Sequence, residues 1–222
     1  MNTYTIKSTT TPPALDGAFA SGAWGAAEEG RVALFHERSS DHRPDTRFRV
    51  LHAAAALYVK FEVRDRYVRS VHTQYQDPVS RDSCAEFFVQ PCAGKGYFNF
   101  EVNAGGTLLL YYIEDHRRTP AGFEKFTKVP ETLARQMTIW HSLPAVVEPE
   151  ITEPTTWSVA YRVPVALFEA FVGPLGKLAG QTWRGNFYKC GDQTSHPHWA
   201  SWAPVTSLNF HLPECFGELA LA

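Results

Sequence analysis

No run approaching about 18 consecutive apolar residues occurs in this chain of 222 residues, so no membrane-spanning helix is expected. Charge of one sign is also missing. The formal net charge is −2, and the densest basic patch, Arg47–His52, alternates as a strand would. Neither nucleic acid nor a membrane is therefore an expected partner. The four cysteines, Cys84, Cys92, Cys190 and Cys215, include no CxxC pair, which argues against a zinc ribbon or a thioredoxin-like site. Cys84 and Cys190 lie inside apolar strand patterns and read as free buried thiols. No G-x-S-x-G, P-loop, G-x-G-x-x-G or H-E-x-x-H motif is present. His196 and His198 form an H-x-H pair with no third ligand placed by spacing, and they read as loop residues. Asp192 and the segment Asp77–Asp82 offer oxygens to calcium but match no EF-hand spacing. Internal repeats, low-complexity tracts and long linkers are absent. The N-terminus, MNTYTIKSTTTPPALDG, lacks a basic start followed by an apolar core. As it stands, the chain is expected to be soluble and cytoplasmic; one that had lost a native leader would be secreted.

What the chain has in quantity is aromatic residues, 14% of the total, which suit both sheets and sugar-binding surfaces. Strand patterns dominate. In Leu57–Asp65 the residues Leu57, Val59, Phe61 and Val63 share one side, and Tyr58, Lys60, Glu62 and Arg64 the other, the period of a half-buried strand. Further strands are read at 46–52, 84–91, 97–103, 107–114, 157–164, 182–190 and 217–222. Val165–Phe171, between Pro164 and Gly173, reads as a two-turn helix, and Phe123–Arg135 as a mixed segment holding another turn. Many short strands with little helix predict one domain over 1–222, an all-β antiparallel β-sandwich with one or two short helices.

Three of these strands carry an unusual second face: Tyr97, Asn99, Glu101 and Asn103; Glu86, Phe88 and Gln90; Arg184, Asn186 and Tyr188. If they are neighbours, they make a polar sheet face with aromatic rims. Trp199 and Trp202 follow in a loop-like segment and could stack on the apolar face of a pyranose, while Glu86, Asn99, Arg184, Asn186 and Tyr188 bond its hydroxyls. Trp183 shares the side of Phe187 and is expected in the core. Asp65 reads as a turn former; His211 and Glu214 read as parts of a structural corner around Pro213. Glu86 and Glu101 could face each other across a sheet, which keeps a glycoside hydrolase open as an alternative.

The segments ALDG, LYVKFEVRD, RDSCAEFFVQP, YFNFEVNAGG, WSVAYRVP, WRGNFYKCGD, WASWAP and NFHLPECFGELAL resemble, in order and over about Leu15–Leu219, the family 9 carbohydrate-binding modules and specifically their stand-alone relatives. D-S-C-x-E-F-F and F-H-x-P-E-x-F-G are the most specific. The resemblance implies an immunoglobulin-like or jelly-roll sandwich that binds sugars without cleaving them. It also implies a clamp of two tryptophans on a reducing-end sugar, and structural calcium. It would make Glu86 the binding carboxylate, Trp199 or Trp202 one side of the clamp, and Arg184 and Asn186 polar contacts. The sequence departs from the pattern upstream of Glu86, where Tyr75 is the only aromatic residue in HTQYQDPVSRDS. Related sandwiches also hold haem b, a second alternative, which would need an axial pair such as Met137 with a His or Lys.

Overall fold

The alternation in Ala56–Asp65 is realised residue by residue: Leu57, Val59, Phe61 and Val63 are all fully buried in the main core. The computed structural model describes residues 2–120 and 122–222. In chain order its strands are β1 (Thr3–Ser8), β2 (Gly30–Val32), β3 (Leu34–Phe35), β4 (Asp45–Ala53), β5 (Ala56–Asp65), β6 (Val68–Ser70), β7 (Cys84–Gln90), β8 (Tyr97–Asn103), β9 (Leu108–Thr119), β10 (Gly122–Lys128), β11 (Thr138–His141), β12 (Val147–Ile151), β13 (Thr155–Pro164), β14 (Thr182–Cys190), β15 (Trp199–Ser201) and β16 (Gly217–Leu221). Short helices α1 (Gly22–Ala26), α2 (Glu131–Ala134) and α3 (Val165–Val172) lie between them.

Hydrogen-bonded neighbours run β10-β9-β8-β7-β14-β16-β1-β4-β5-β13-β11. The path folds over at β1. Thr3–Ile6 pair with β16 and Lys7–Ser8 with β4, both in parallel, so one strand stitches two layers together. The β-sandwich is therefore antiparallel except at this seam. Its core lies between the layers. Phe87, Val89, Phe98, Phe100, Val102 and Phe187 come from one side, and Phe48, Val50, Phe61, Trp157, Val159 and Tyr161 from the other. Phe48 and Phe187 stack across it at 3.6 Å, with Phe87 on the far side of Phe187 at 4.7 Å. Trp183 joins this core as its alternation requires.

α3 begins after Pro164 and stops at Gly173, whose φ of 82° a side chain would strain. The segment Phe123–Arg135 divides into β10, which extends the β9 hairpin, and α2. The outer face of β5 is not the wet face its polar residues suggest. Lys60 is 1% exposed. Its Nζ donates to the carbonyls of Leu15 (2.7 Å) and Gly17 (2.6 Å) and sits over the rings of Trp140 and Trp24. The N-terminal segment around α1 covers that face, and β1 itself carries too short a pattern, Tyr4 and Ile6, to stand out locally.

Candidate functional site

The three strands with the unusual second face are neighbours, in the order β8-β7-β14. Their register makes rows. Tyr188 lies opposite Glu86 and Glu86 opposite Glu101; Asn186 opposite Phe88 and Phe88 opposite Asn99; Cys190 opposite Cys84 and Cys84 opposite Asn103. β9 continues the first two rows with Leu109 and Tyr111. Because directly opposed residues share a face, Glu86 and Glu101 are side by side.

A cleft of about 310 Å³ opens on these rows. Glu86, Asn99, Glu101, Leu109, Tyr111 and Cys190 reach it from the sheet, and Arg118 and Phe123 from the β9–β10 hairpin. Two loops complete it. After β14, Asp192 N and Gln193 N donate to the carbonyls of Ser80 and Arg81, tying this loop to the turn before β7. Asp192 then accepts from Trp199 Nε1 (2.7 Å) and Ser80 Oγ (2.9 Å), which fixes the indole at the cleft. The second loop brings Asn209, Phe210 and His211. Phe210 stacks on Tyr188 at 4.1 Å, and Tyr188 Oη donates to the Phe210 carbonyl at 2.9 Å. His211 Nδ1 lies 3.0 Å from Tyr97 Oη, with its ring against Phe88 and Phe123.

The electrostatics follow from burial. Asn99 Nδ2 donates to Glu101 Oε1 at 2.8 Å, while Asn99 Oδ1 accepts from Tyr111 N at 2.7 Å. Burial lifts the Glu101 carboxyl from 4.5 to about 7, against that hydrogen bond. Glu86 goes well above its ordinary range, through burial first and the neighbouring Glu101 second. Asp192 is raised by burial despite its two donors. Burial, with Arg118 nearby, holds His211 well below the usual imidazole range. Near neutral pH the floor thus tends toward protonated carboxyls, which both donate and accept hydrogen bonds.

Of the residues singled out in the sequence, Glu86, Asn99 and Trp199 meet at this cleft. Tyr188 is fully buried beneath Phe210 and supports the wall rather than lining it. The others are elsewhere. Asn186 is fully buried; its Nδ2 donates to the Ala203 carbonyl, and its Oδ1 accepts from Phe187 N and Ala203 N. Arg184 Nη2 donates to the carbonyls of Phe216 (2.8 Å) and Glu214 (3.3 Å), pinning the closing turn. Trp202 is partly buried and packs edge-on against Tyr4, Phe48 and Phe187 at the margin of the core. Tyr75 Oη donates to the Val129 carbonyl, and its ring packs on the main core. The aromatic partners of Trp199 at the cleft are instead Tyr111, Phe123 and Phe210. Sequence reasoning left these out, together with Arg118, and set a place near the pocket for His211 behind the reading of a structural corner. Only the F-H-x-P-E-x-F-G segment held a signal for Phe210 and His211.

Two further readings are corrected. Asp65 does accept from Arg66 N, as a turn former would, but it is also the hub of a buried cluster. Its carboxylate is 2.6 Å from His42 Nε2, 3.0 Å from Trp157 Nε1 and 3.4 Å from the fully buried Lys189 Nζ. Burial alone would raise Asp65; Lys189, His42 and Trp157 instead hold it below the usual carboxylate range. His198 belongs to the same cluster. It is fully buried, 2.7 Å from Lys189 Nζ, and pushed down to about 3 by burial and by Lys189. His196 stacks on Tyr67. Met137 belongs to the main core.

Several oxygens of the acids that could serve calcium already accept from protein donors. Asp77 Oδ2 accepts from Thr73 N and Gln74 N, Asp82 Oδ2 from Val71 N, His72 N and Asn103 Nδ2, and Asp192 from Trp199 and Ser80. Calcium takes about 6–8 oxygens. Among the described residues, the acidic, histidine and cysteine side chains grouped closely enough to ligate one ion are Cys84, Glu86 and Cys190, with a single carboxylate among them. That set, two sulfurs and one carboxylate, does not fit calcium.

The model of carbohydrate-binding family 9 matches residues 29–221. The chain belongs to carbohydrate-binding family 9. Family membership accords with the sandwich, which is shared with solved structures over nearly the whole chain. A proposed carbohydrate-binding protein from Bacteroides uniformis ATCC 8492 is 27% identical, with 99% of each chain covered and a TM-score of 0.81. A family 9 module from Caldicellulosiruptor kristjanssonii, solved with cellotriose, is 13% identical over 99% of this chain and 93% of that one, with a TM-score of 0.66. A module from the same organism, solved with glucose, is 13% identical over 98% and 95%, with a TM-score of 0.62. No curated protein matches the chain.

Proposed function

We propose that this family 9 domain binds a carbohydrate, without cleaving it, in the cleft between Trp199 and Phe210, with Glu86, Asn99 and Glu101 as its polar floor. The observation that supports this reading is the register. It collects three planar hydrogen-bonding side chains in adjacent rows, and two loops set aromatic rings beside them. A pyranose has the matching chemistry, an apolar face for a ring and hydroxyls that both donate and accept. Among the described residues, protein donors engage one oxygen of each glutamate, which leaves the other for a ligand hydroxyl. The volume is at the small end of ligand sites, about 300–1,000 Å³, and suits one or two sugar rings. A reducing end is the finer form of the proposal.

Titration calorimetry with glucose and cellotriose tests it, since family 9 neighbours were solved with these sugars. Trp199→Ala should weaken binding roughly 30-fold or more, as loss of a central aromatic contact does. Glu86→Ala should act in the same direction. Wild-type affinity in both variants would remove the cleft as the site. Borohydride-reduced cellotriose binding as tightly as cellotriose would remove the reducing-end form.

A further inference from the structure

At the base of the cleft, one group of side chains has a chemistry that sugar binding does not call for. Cys84 on β7 lies directly opposite Cys190 on β14, and Glu86 is the next residue of β7 on the same face. Their two sulfurs and one carboxylate oxygen are all within 4.8 Å of one another. Cys190 Sγ is 3.0 Å from Glu86 Oε1. We propose that Cys84, Glu86 and Cys190 form a site for a thiophilic divalent cation of the zinc class, with its fourth coordination position turned to the cleft.

The spacing fits. Bonds of about 2.3 Å to sulfur and 2.0 Å to oxygen at tetrahedral angles put two sulfurs roughly 3.8 Å apart and a sulfur and an oxygen roughly 3.5 Å apart. The donor types select the ion: two soft sulfurs favour zinc and its neighbours over magnesium or calcium. The surroundings also suit a bound ion. All three residues are 2% exposed or less, and Val79 and Leu109 pack around the two cysteines. Two thiols and a carboxyl have no packing advantage there over an apolar trio, whereas a cation would bind all three donors at once. Access exists as well, because Glu86 and Cys190 line the cleft while Cys84 sits behind them. Binding would release the two thiol protons and the Glu86 carboxyl proton to solvent, and a water or a ligand hydroxyl would complete the shell.

The site shares Glu86 with the carbohydrate reading but does not depend on it. The test therefore uses Cys84, which does not line the cleft. Reduced full-length protein is titrated with cobalt(II), and zinc is then used to displace it. One equivalent per chain should produce a thiolate-to-cobalt charge-transfer band in the near ultraviolet, which zinc abolishes. Cys84→Ser should lose the band and weaken zinc binding about 100-fold or more, since even outer-shell changes cost up to that much. A Cys92→Ser, Cys215→Ser double variant should keep both. No band in wild-type protein with all thiols reduced would overturn the proposal without requiring any variant to fold, and so would an undiminished band in Cys84→Ser. Metal-free Cys84→Ser should bind cellotriose like metal-free wild type. That glycan measurement in metal-free wild type alone decides the carbohydrate reading, so either idea can fail without the other.

Discussion

Glu101→Gln is the substitution whose outcome the structure constrains most tightly. Glu101 is 6% exposed and lies opposite another buried carboxyl, and burial lifts its own carboxyl from 4.5 to about 7. The folded state thus prefers the protonated form. The corresponding stability is fully present below about pH 4.5 and is lost as pH rises toward and through about 7. At about 1.4 kcal/mol for each pH unit, the loss amounts to on the order of 3 kcal/mol. For a chain of this length that corresponds to roughly 6–12 °C in Tm. Glutamine is nearly isosteric, retains an oxygen to accept from Asn99 Nδ2, and cannot ionise. It also removes the like charge that pushes Glu86 up. Thermal unfolding of both proteins from pH 4 to pH 8.5 is the assay. The two should melt close together at pH 4, and Glu101→Gln should melt several degrees higher at pH 8.5. Parallel Tm profiles across the range, or a variant less stable than wild type at pH 8.5, would refute the placement of an ionisable pair under the cleft.

Asp65→Asn should destabilise the fold by about 3–5 kcal/mol in denaturant titration, because it leaves the Lys189 ammonium buried without its counter-charge. Trp202→Ala should destabilise the fold, by less than the about 3–5 kcal/mol of a fully buried aromatic because its indole is only partly buried, while leaving the cellotriose affinity of the folded fraction at the wild-type value; Trp199→Ala should show the reverse pattern. A panel of aryl glycosides should give no product release. Hydrolysis needs an acid and a base flanking the scissile bond, and Glu86 and Glu101 are side by side on one floor, both biased toward protonation.

Much of the fold was legible because it is written locally. A period of two marks β4, β5, β7, β8, β13 and β14, and proline and glycine mark their ends. The strands that escaped notice are short, as with β3 and β15, or have too few apolar positions, as with β1. The site was legible only in part. Glu86 and Asn99 were visible because alternation assigns a residue to a face. Arg184 and Asn186 were assigned to that same face correctly, yet they do not reach the cleft. The segment from Ala203 to Phe216 folds back over their end of β14 and takes their hydrogen bonds for its own backbone. Trp199 and Trp202 are three residues apart with similar neighbours. One indole is held at the cleft by Asp192 and the other packs against the margin of the core on Tyr4, Phe48 and Phe187.

The amino-acid sequence by itself determined that this is an all-β chain with a polar, aromatic-edged sheet face, because side-chain alternation depends only on neighbouring residues. Its ordered motifs also marked the family. Only the tertiary structure decided which polar residues meet at the cleft, which of the two tryptophans stands beside them, and that two cysteines and a glutamate converge behind it. Those outcomes depend on strand register and on loops that return from far along the chain, where the free energy of burying a side chain depends on partners that no local pattern specifies.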